Sequence, residues 1–261
     1  MKIGVIGTGN IAQYLLKSIN TDGQLEGKIT SIFGRNQEVG PRLETQFDTM
    51  FYTDFQEFID SPIDIVVEAA TIDVAIQSIE AVLVSKKDMI LSSIGAFKDV
   101  NFLAAMKEVA QSNGQHIYLP SGAIGGLDLL QSANSVGGLK EVCITTRKSP
   151  ASLGLEPMNE EACIFDGVAL HAIEKFPKNV NVALLLSIAG LGVNRTKVRV
   201  IADPKVQKNT HTIEAEGGFG KMCLIIENEP MPNNPKTSYL AALSILSTLR
   251  NRGNFITVGA N

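Results

Sequence analysis

The chain contains no tryptophan, three cysteines and three histidines in 261 residues, and aromatic residues make up 6%. Cys143, Cys163 and Cys223 are odd in number, scattered and without CxxC spacing, which excludes a disulfide framework and a thiolate metal site. They read as reduced, mostly packed thiols of a cytoplasmic protein. The histidines lack local metal-ligand spacing, so no metal is expected. A long apolar run is also missing. The longest uncharged stretch, 179–194, contains Asn181 and two glycines and falls short of the roughly 18 residues of a membrane span. It reads as a buried core helix. Met1 to Gly7 carries one lysine and an apolar run broken by glycines, so no export signal is expected. Charge of one sign is absent too: 23 basic against 27 acidic residues give a net −4, which argues against a nucleic-acid scaffold. Small molecules, not nucleic acid or membrane, are the expected partners.

What is present is an alternation. Lys2–Ile6, Lys28–Phe33, Ile63–Val67, Met89–Ser92 and His116–Leu119 have strand character, and Val74–Val84 and Phe102–Ala110 between them have helical spacing. Such alternation predicts an α/β fold, with an N-terminal Rossmann doubly wound parallel sheet over residues 1–120. Gly7-Thr8-Gly9-Asn10-Ile11-Ala12 matches G-x-G-x-x-G/A between the first strand and the first helix. Gly7 permits a tight turn, Gly9 lets the backbone approach a pyrophosphate, and Ala12 allows close helix packing. Free N–H groups of Asn10 and Ile11 would then face the phosphates. The second strand ends Ile32-Phe33-Gly34-Arg35, without the acidic residue that binds the ribose of NAD. Arg35 suits a 2′-phosphate, so NADP is expected alongside NAD. A solvated loop position is the plainer reading of Arg35.

Residues 121–237 read as a second, α+β domain with a mixed or antiparallel sheet. It opens with Pro120-Ser121-Gly122-Ala123-Ile124-Gly125-Gly126-Leu127-Asp128, either a backbone approach to the nicotinamide or a hinge. A helix over Leu127–Ala133 follows, then strands at Val142–Thr146, Val198–Ile201, Asn209–Glu216 and Met222–Glu227. The last two are joined by Gly217-Gly218-Phe219-Gly220 as a hairpin. The C-terminal helix, 238–261 with an amphipathic stretch at Tyr239–Leu249, is expected to pack back on the first domain. Alternation on Asn209–Glu216 puts His211 on the face of Ile213 and Ala215, where an imidazole could be tuned for proton transfer. A structural histidine is the rival reading. His116 and His171 show no site logic.

Taken together, these segments resemble the L-aspartate dehydrogenase family of dinucleotide-utilising enzymes. The resemblance covers nearly the whole chain. Besides the glycine loop it rests on Val67-Glu68-Ala69-Ala70, Ser92-Ser93-Ile94-Gly95-Ala96, Pro120 to Asp128 and Phe176-Pro177-Lys178-Asn179-Val180-Asn181-Val182-Ala183. Ala202-Asp203-Pro204, Asn209-Thr210-His211 and Gly218-Phe219-Gly220 complete it. It implies oxidation of L-aspartate with NAD or NADP to iminoaspartate, then oxaloacetate and ammonia, with a link to NAD biosynthesis. It also implies that His211 is the active-site histidine, that Ala69, Ala123 and Asn181 contact the cofactor, and that the protein is a homodimer paired through its second domain. Arg147, Lys148 and Lys178 are candidates for the substrate carboxylates. A dehydrogenase of another small amino or oxo acid and a non-catalytic dinucleotide sensor are the alternatives.

Overall fold

A computed structural model describes residues 1–176, 181–231, 234–252 and 254–256. The chain divides into two compact units, one formed by Met1–Pro120 with Ser244–Asn254 and the other by Ser121–Leu243.

The first unit alternates β1 (Lys2–Ile6), α1 (Asn10–Leu16), β2 (Lys28–Phe33), α2 (Val39–Phe47), β3 (Met50–Tyr52), α3 (Phe55–Asp60), β4 (Ile65–Glu68), α4 (Ile72–Val84), β5 (Asp88–Leu91), α5 (Val100–Asn113) and β6 (Ile117–Tyr118). Its strands pair in parallel in the order β3-β2-β1-β4-β5-β6. The order reverses between β1 and β4, and the crevice beyond the carboxyl ends of those strands is where such sheets hold ligands. β4 and β5 are buried at every residue, as parallel strands covered on both faces must be. Side chains start the helices: Asn36 Oδ1 accepts from Glu38 and Val39 N–H before α2, Asp54 caps α3, Thr71 caps α4 and Asp99 caps α5. β4 begins two residues later than Ile63. Asp64 N–H and carboxylate are both tied to the Lys2 backbone ahead of it. At its other end β4 includes Glu68, whose carboxylate is satisfied internally.

The second unit contains α6 (Leu127–Asn134), β7 (Leu139–Lys148), α7 (Pro150–Leu153), β8 (Ala162–Val168), α8 (Ala169–Lys175), α9 (Asn181–Ala189), β9 (Lys197–Ala202), β10 (Asn209–Gly217), β11 (Gly220–Asn228), β12 (Pro230–Met231) and β13 (Asn234–Ser238). Five strands form a mixed sheet in the order β11-β10-β7-β9-β8, in which only β7 and β9 run parallel. β8 has no clear signature in the sequence because Asp166 and Gly167 interrupt its apolar pattern. Asp166 is tolerated on the outer face because it pairs with Arg199 of β9.

One face of this sheet buries Val142, Ile144, Thr146, Val198, Val200, His211, Ile213 and Ala215 beneath helices that include α6 and α8. The opposite face exposes Ile225 and Cys223. The expectation of mostly packed thiols is therefore corrected. Cys163 and Cys223 are exposed and Cys143 is half-buried, because all three fall on outward positions of their strands.

α10 (Tyr239–Asn251) carries the chain back to the first unit. Its Ile245, Leu246 and Leu249 are buried in one core cluster with Leu15, Leu16, Ile19 and Ile90. Just beyond it, Arg252 lies 5.0 Å from the Tyr118 ring and pairs with Asp88. The helix ends at Asn251, and residues 253 and 257–261 lie outside the described residues. Leu249 is 1% exposed. Leu249→Ala is expected to cost about 2–5 kcal/mol of unfolding free energy, read by chemical denaturation. A loss under about 0.5 kcal/mol would show that this turn is not part of the core.

Candidate functional site

In the first unit the site grows from the turn after β1. Gly7 has φ +119°, and a Cβ there would stand 2.5 Å from the Ala69 carbonyl oxygen, so only glycine fits. Gly7 N–H donates to Phe33 O, and Ala69 N–H to Ile6 O, which joins the turns after β1, β2 and β4. Gly9 is the N-cap of α1, and a Cβ built on it meets no protein atom within 4 Å. No side chain caps this helix, and its first turn holds no acidic residue. Open space beside uncapped N–H groups suits a pyrophosphate. Asn10 and Ile11 are half-buried in that turn, while Ala12 packs into the core. Gln13 Nε2 donates to Thr8 O and steadies the loop. A Cβ on Gly34 would stand 2.8 Å from Thr8 Cγ2, so the exposed Arg35 starts beside the glycine loop.

Glu68 was quoted in a motif but given no role by the sequence. It is fully buried. Oε1 accepts from Ala70 N–H and Ser93 Oγ–H, and Oε2 from Ser93 N–H, each at 2.8 Å. Burial raises its pKa against the pull of these donors. The carboxylate fastens the turn after β4, which carries Ala69, to the turn after β5. A lone acid closing an apolar strand was the available signal.

In the second unit His211 is 2% exposed and stands on the face of Ile213 and Ala215. Its register partners are Thr146 on β7 and Ile226 on β11. Nδ1 lies 3.0 Å from Thr146 Oγ1. Burial first, and then the ammonium of Lys148, push its pKa down to about 3. Both causes favour the neutral imidazole. Nothing in the sequence pattern pointed to Thr146, which comes from 65 residues away.

Among the carboxylate candidates, Arg147 already pairs with Glu161 and, at 2.6 Å, with Asp203. Asp203 in turn accepts from Lys205 N–H, which makes this part of Ala202-Asp203-Pro204 a structural knot. Lys148 shares the inward face of β7 with Thr146, and burial lowers its pKa. Lys178 lies outside the described residues, as do Pro177, Asn179 and Val180 of the same motif.

The carbonyl of Ala123 accepts from the buried Asn228 Nδ2 at 3.0 Å. Asn228 is paired in register with Asn209, two positions from His211. Both asparagines line a cavity of about 140 Å³ with Ser149, Ser152, Gln207 and Lys208, the last of which pairs with Glu229; N–H and O–H groups of this kind are donors a carboxylate takes. Asn181 stands exposed at the start of α9. Among the described residues no group of His, Cys, Asp and Glu could hold a metal ion, and no helix is long and apolar enough to cross a membrane.

Comparison with known proteins supplies the context. Residues 128–252 match the family model described as aspartate dehydrogenase, C-terminal, and residues 7–120 that described as homoserine dehydrogenase, NAD binding domain. The chain is 38% identical to an L-aspartate dehydrogenase of Methanococcoides burtonii, over 99% of both chains. It is 38% identical to one of Archaeoglobus fulgidus, over 96% of this chain and 97% of the other. A crystal structure of aspartate dehydrogenase from Thermotoga maritima superimposes with a TM-score of 0.82 at 30% identity, covering 99% of each chain.

The lowered pKa of His211 has a measurable consequence. Unfolding returns the imidazole to an ordinary value near 6.5, so the unfolded chain binds a proton that the folded chain refuses. Stability from this group is present above pH 6.5 and is lost as the pH falls toward about 3. The slope is about 1.4 kcal/mol per pH unit. Denaturant titrations between about pH 6.5 and pH 5 are expected to show that slope in the wild type and its absence in His211→Gln. Parallel curves for the two proteins would show that His211 is not held neutral.

Proposed function

We infer the activity from a single premise: the chain belongs to the L-aspartate dehydrogenase family. It is an oxidoreductase that acts on the CH–NH2 group of L-aspartate with NAD or NADP. The products are iminoaspartate and, after hydrolysis, oxaloacetate and ammonia. The observation that carries this reading is the reach of the similarity, which runs the full length and includes the unit that bears His211.

The residues divide the work as follows. The backbone at Gly7, Gly9, Asn10 and Ile11 holds the pyrophosphate, in the open space that a Cβ on Gly9 would fill. When bound, the dinucleotide accepts the hydride from the substrate Cα. Ala69, kept in place by Glu68, and Ala123 and Asn181 of the second unit bind toward the nicotinamide. Arg35 takes the 2′-phosphate of NADP. His211 faces the substrate. The chain works in the cytoplasm as a homodimer joined through the outer face of the second sheet. Support for that pairing is Ile225, 63% exposed on the outer face of the edge strand β11.

The test is NAD(P)H formation from L-aspartate, followed by ultraviolet absorbance with NADP and with NAD. Both cofactors are expected to support turnover. Arg35→Ala should lower kcat/KM for NADP about tenfold or more and leave the NAD value nearly unchanged. Equal effects on the two cofactors would remove Arg35 from phosphate recognition. Dinucleotide binding without oxidation of aspartate would sink the activity itself. Ile225→Lys should shift the protein to monomer in light scattering, whereas an unchanged mass would place the interface elsewhere or exclude it.

A further inference from the structure

We propose that Thr146 is a positioning residue that holds His211 in the tautomer protonated on Nε2, so that His211 donates a hydrogen bond to a substrate carboxylate and does not take the proton of the amine. This rests on the assignment of His211 to the substrate made above.

The geometry allows two arrangements. Either the Thr146 hydroxyl donates to Nδ1 across the 3.0 Å contact, or Nδ1–H donates to Oγ1. The second needs another acceptor for the hydroxyl proton. β7 lies between β10 and β9, so its backbone carbonyls are engaged in the sheet. Beyond Thr146 lies a cleft of about 20 Å³, lined otherwise by apolar side chains that include Leu153, Phe176, Val198 and Val200. One water would fit the space, but a buried water needs at least two polar partners, and among the described side chains that line the cleft it would find only this hydroxyl. An unpaired buried hydroxyl proton disfavours the second arrangement roughly tenfold or more. The hydroxyl proton therefore goes to Nδ1, and the imidazole proton sits on Nε2.

An imidazolium would carry protons on both nitrogens and orphan the same hydroxyl. The surrounding charges oppose it as well. On β7, Lys148 shares the face of Thr146 and acts on His211 directly. On β10, Glu214 and Glu216 point to the opposite, exposed side, and across β11 the partner is Ile226. On α8, Ala172 and Ile173 are buried, whereas His171, Glu174 and Lys175 are exposed.

With its Nδ1 lone pair engaged, neutral His211 has no free lone pair. It can only donate through Nε2. The proton balance follows. The substrate ammonium first loses one proton to solvent. The hydride, which the dinucleotide would accept when bound, then leaves Cα with its electron pair while the nitrogen lone pair forms the C=N bond of the iminium. His211 neither gains nor loses a proton in this sequence. Its hydrogen bond orients the substrate.

The direct test is ¹⁵N NMR of histidine-labelled protein, with the His211 signal identified by its loss in His211→Gln. The expected spectrum shows a protonated Nε2 and an unprotonated Nδ1, unchanged down to about pH 5. A protonated Nδ1 would overturn the proposal whatever the enzyme's activity. Absence of aspartate turnover would instead overturn the activity reading, so the two failures are distinct.

Kinetics supply the second arm. His211→Gln keeps an N–H donor but no base, and should retain kcat/KM within about tenfold of wild type. His211→Leu should lose about 10²–10³-fold. A glutamine variant as inactive as the leucine variant would contradict the donor role. Log kcat/KM should rise with pH until the substrate ammonium titrates, without a break between about pH 5 and pH 8. A break near pH 6–7 that disappears in His211→Gln would mark a base and end the proposal. Thr146→Val should lower kcat while KM for the dinucleotide holds, and Thr146→Ser should restore it. A threonine variant with wild-type kcat and an unchanged tautomer would remove Thr146 from the argument.

Discussion

The first unit depends on how closely the turn after β1 approaches the turn after β4. Gly7 and the Ala69 carbonyl leave no room for a Cβ between them. That approach aims α1 at the crevice and brings Ala69 to its edge. Glu68 then fixes the second turn through three donors, two of them from Ser93 after β5. Three strand ends are thereby joined at the switch point, where a dinucleotide needs rigid backbone and little side chain. Burying a carboxylate is costly, and the N–H and O–H groups around it offset much of that cost. It acts as a brace under the binding surface.

The second unit treats its polar groups in a similar way. His211, Thr146 and Asn228 are buried on or beside a sheet whose other fully buried inward residues are aliphatic. Each has a partner that limits its orientation: His211 and Thr146 each other, and Asn228 the Ala123 carbonyl. Because that carbonyl can only accept, the Asn228 amide has one allowed orientation. The hairpin β10–β11 therefore supports both the imidazole and the loop containing Ala123. Side chains held on paired strands keep their geometry better than side chains on free loops, and orientation is the main demand of hydride transfer.

Much of this was legible in the sequence, and the exceptions have physical causes. β1 shows itself as a continuously buried run and β10 as an alternation of inward and outward residues. The glycine loop is legible because its requirement for positive φ and close approach is met by residue type alone. β8 is not, since its Asp166 is stabilised by Arg199, 33 residues away. Arg147 looked available for substrate because its partners, Glu161 and Asp203, come from other segments. Alternation found the face of His211 but not its pKa or its tautomer. Those depend on Thr146 and Lys148, which a strand register brings alongside. Local chemistry is written locally, whereas protonation is set by contacts across the sheet.

That distinction bears on what the imidazole can do. A base must have a pKa near the working pH, and it gains this through exposure or a neighbouring carboxylate. His211 has neither: it is almost fully buried, and the charge that acts on it is an ammonium. A fixed donor has different needs, namely a dry site, one tautomer and no change of charge during the reaction. Burial in the sheet supplies the first, and the proposed Thr146 contact would supply the other two. A neutral imidazole facing two carboxylates and an amine favours the carboxylates, because a donor on the amine would tie up the lone pair that must form the C=N bond. The burial that makes His211 a poor proton acceptor is thus the one that suits the proposed donor role.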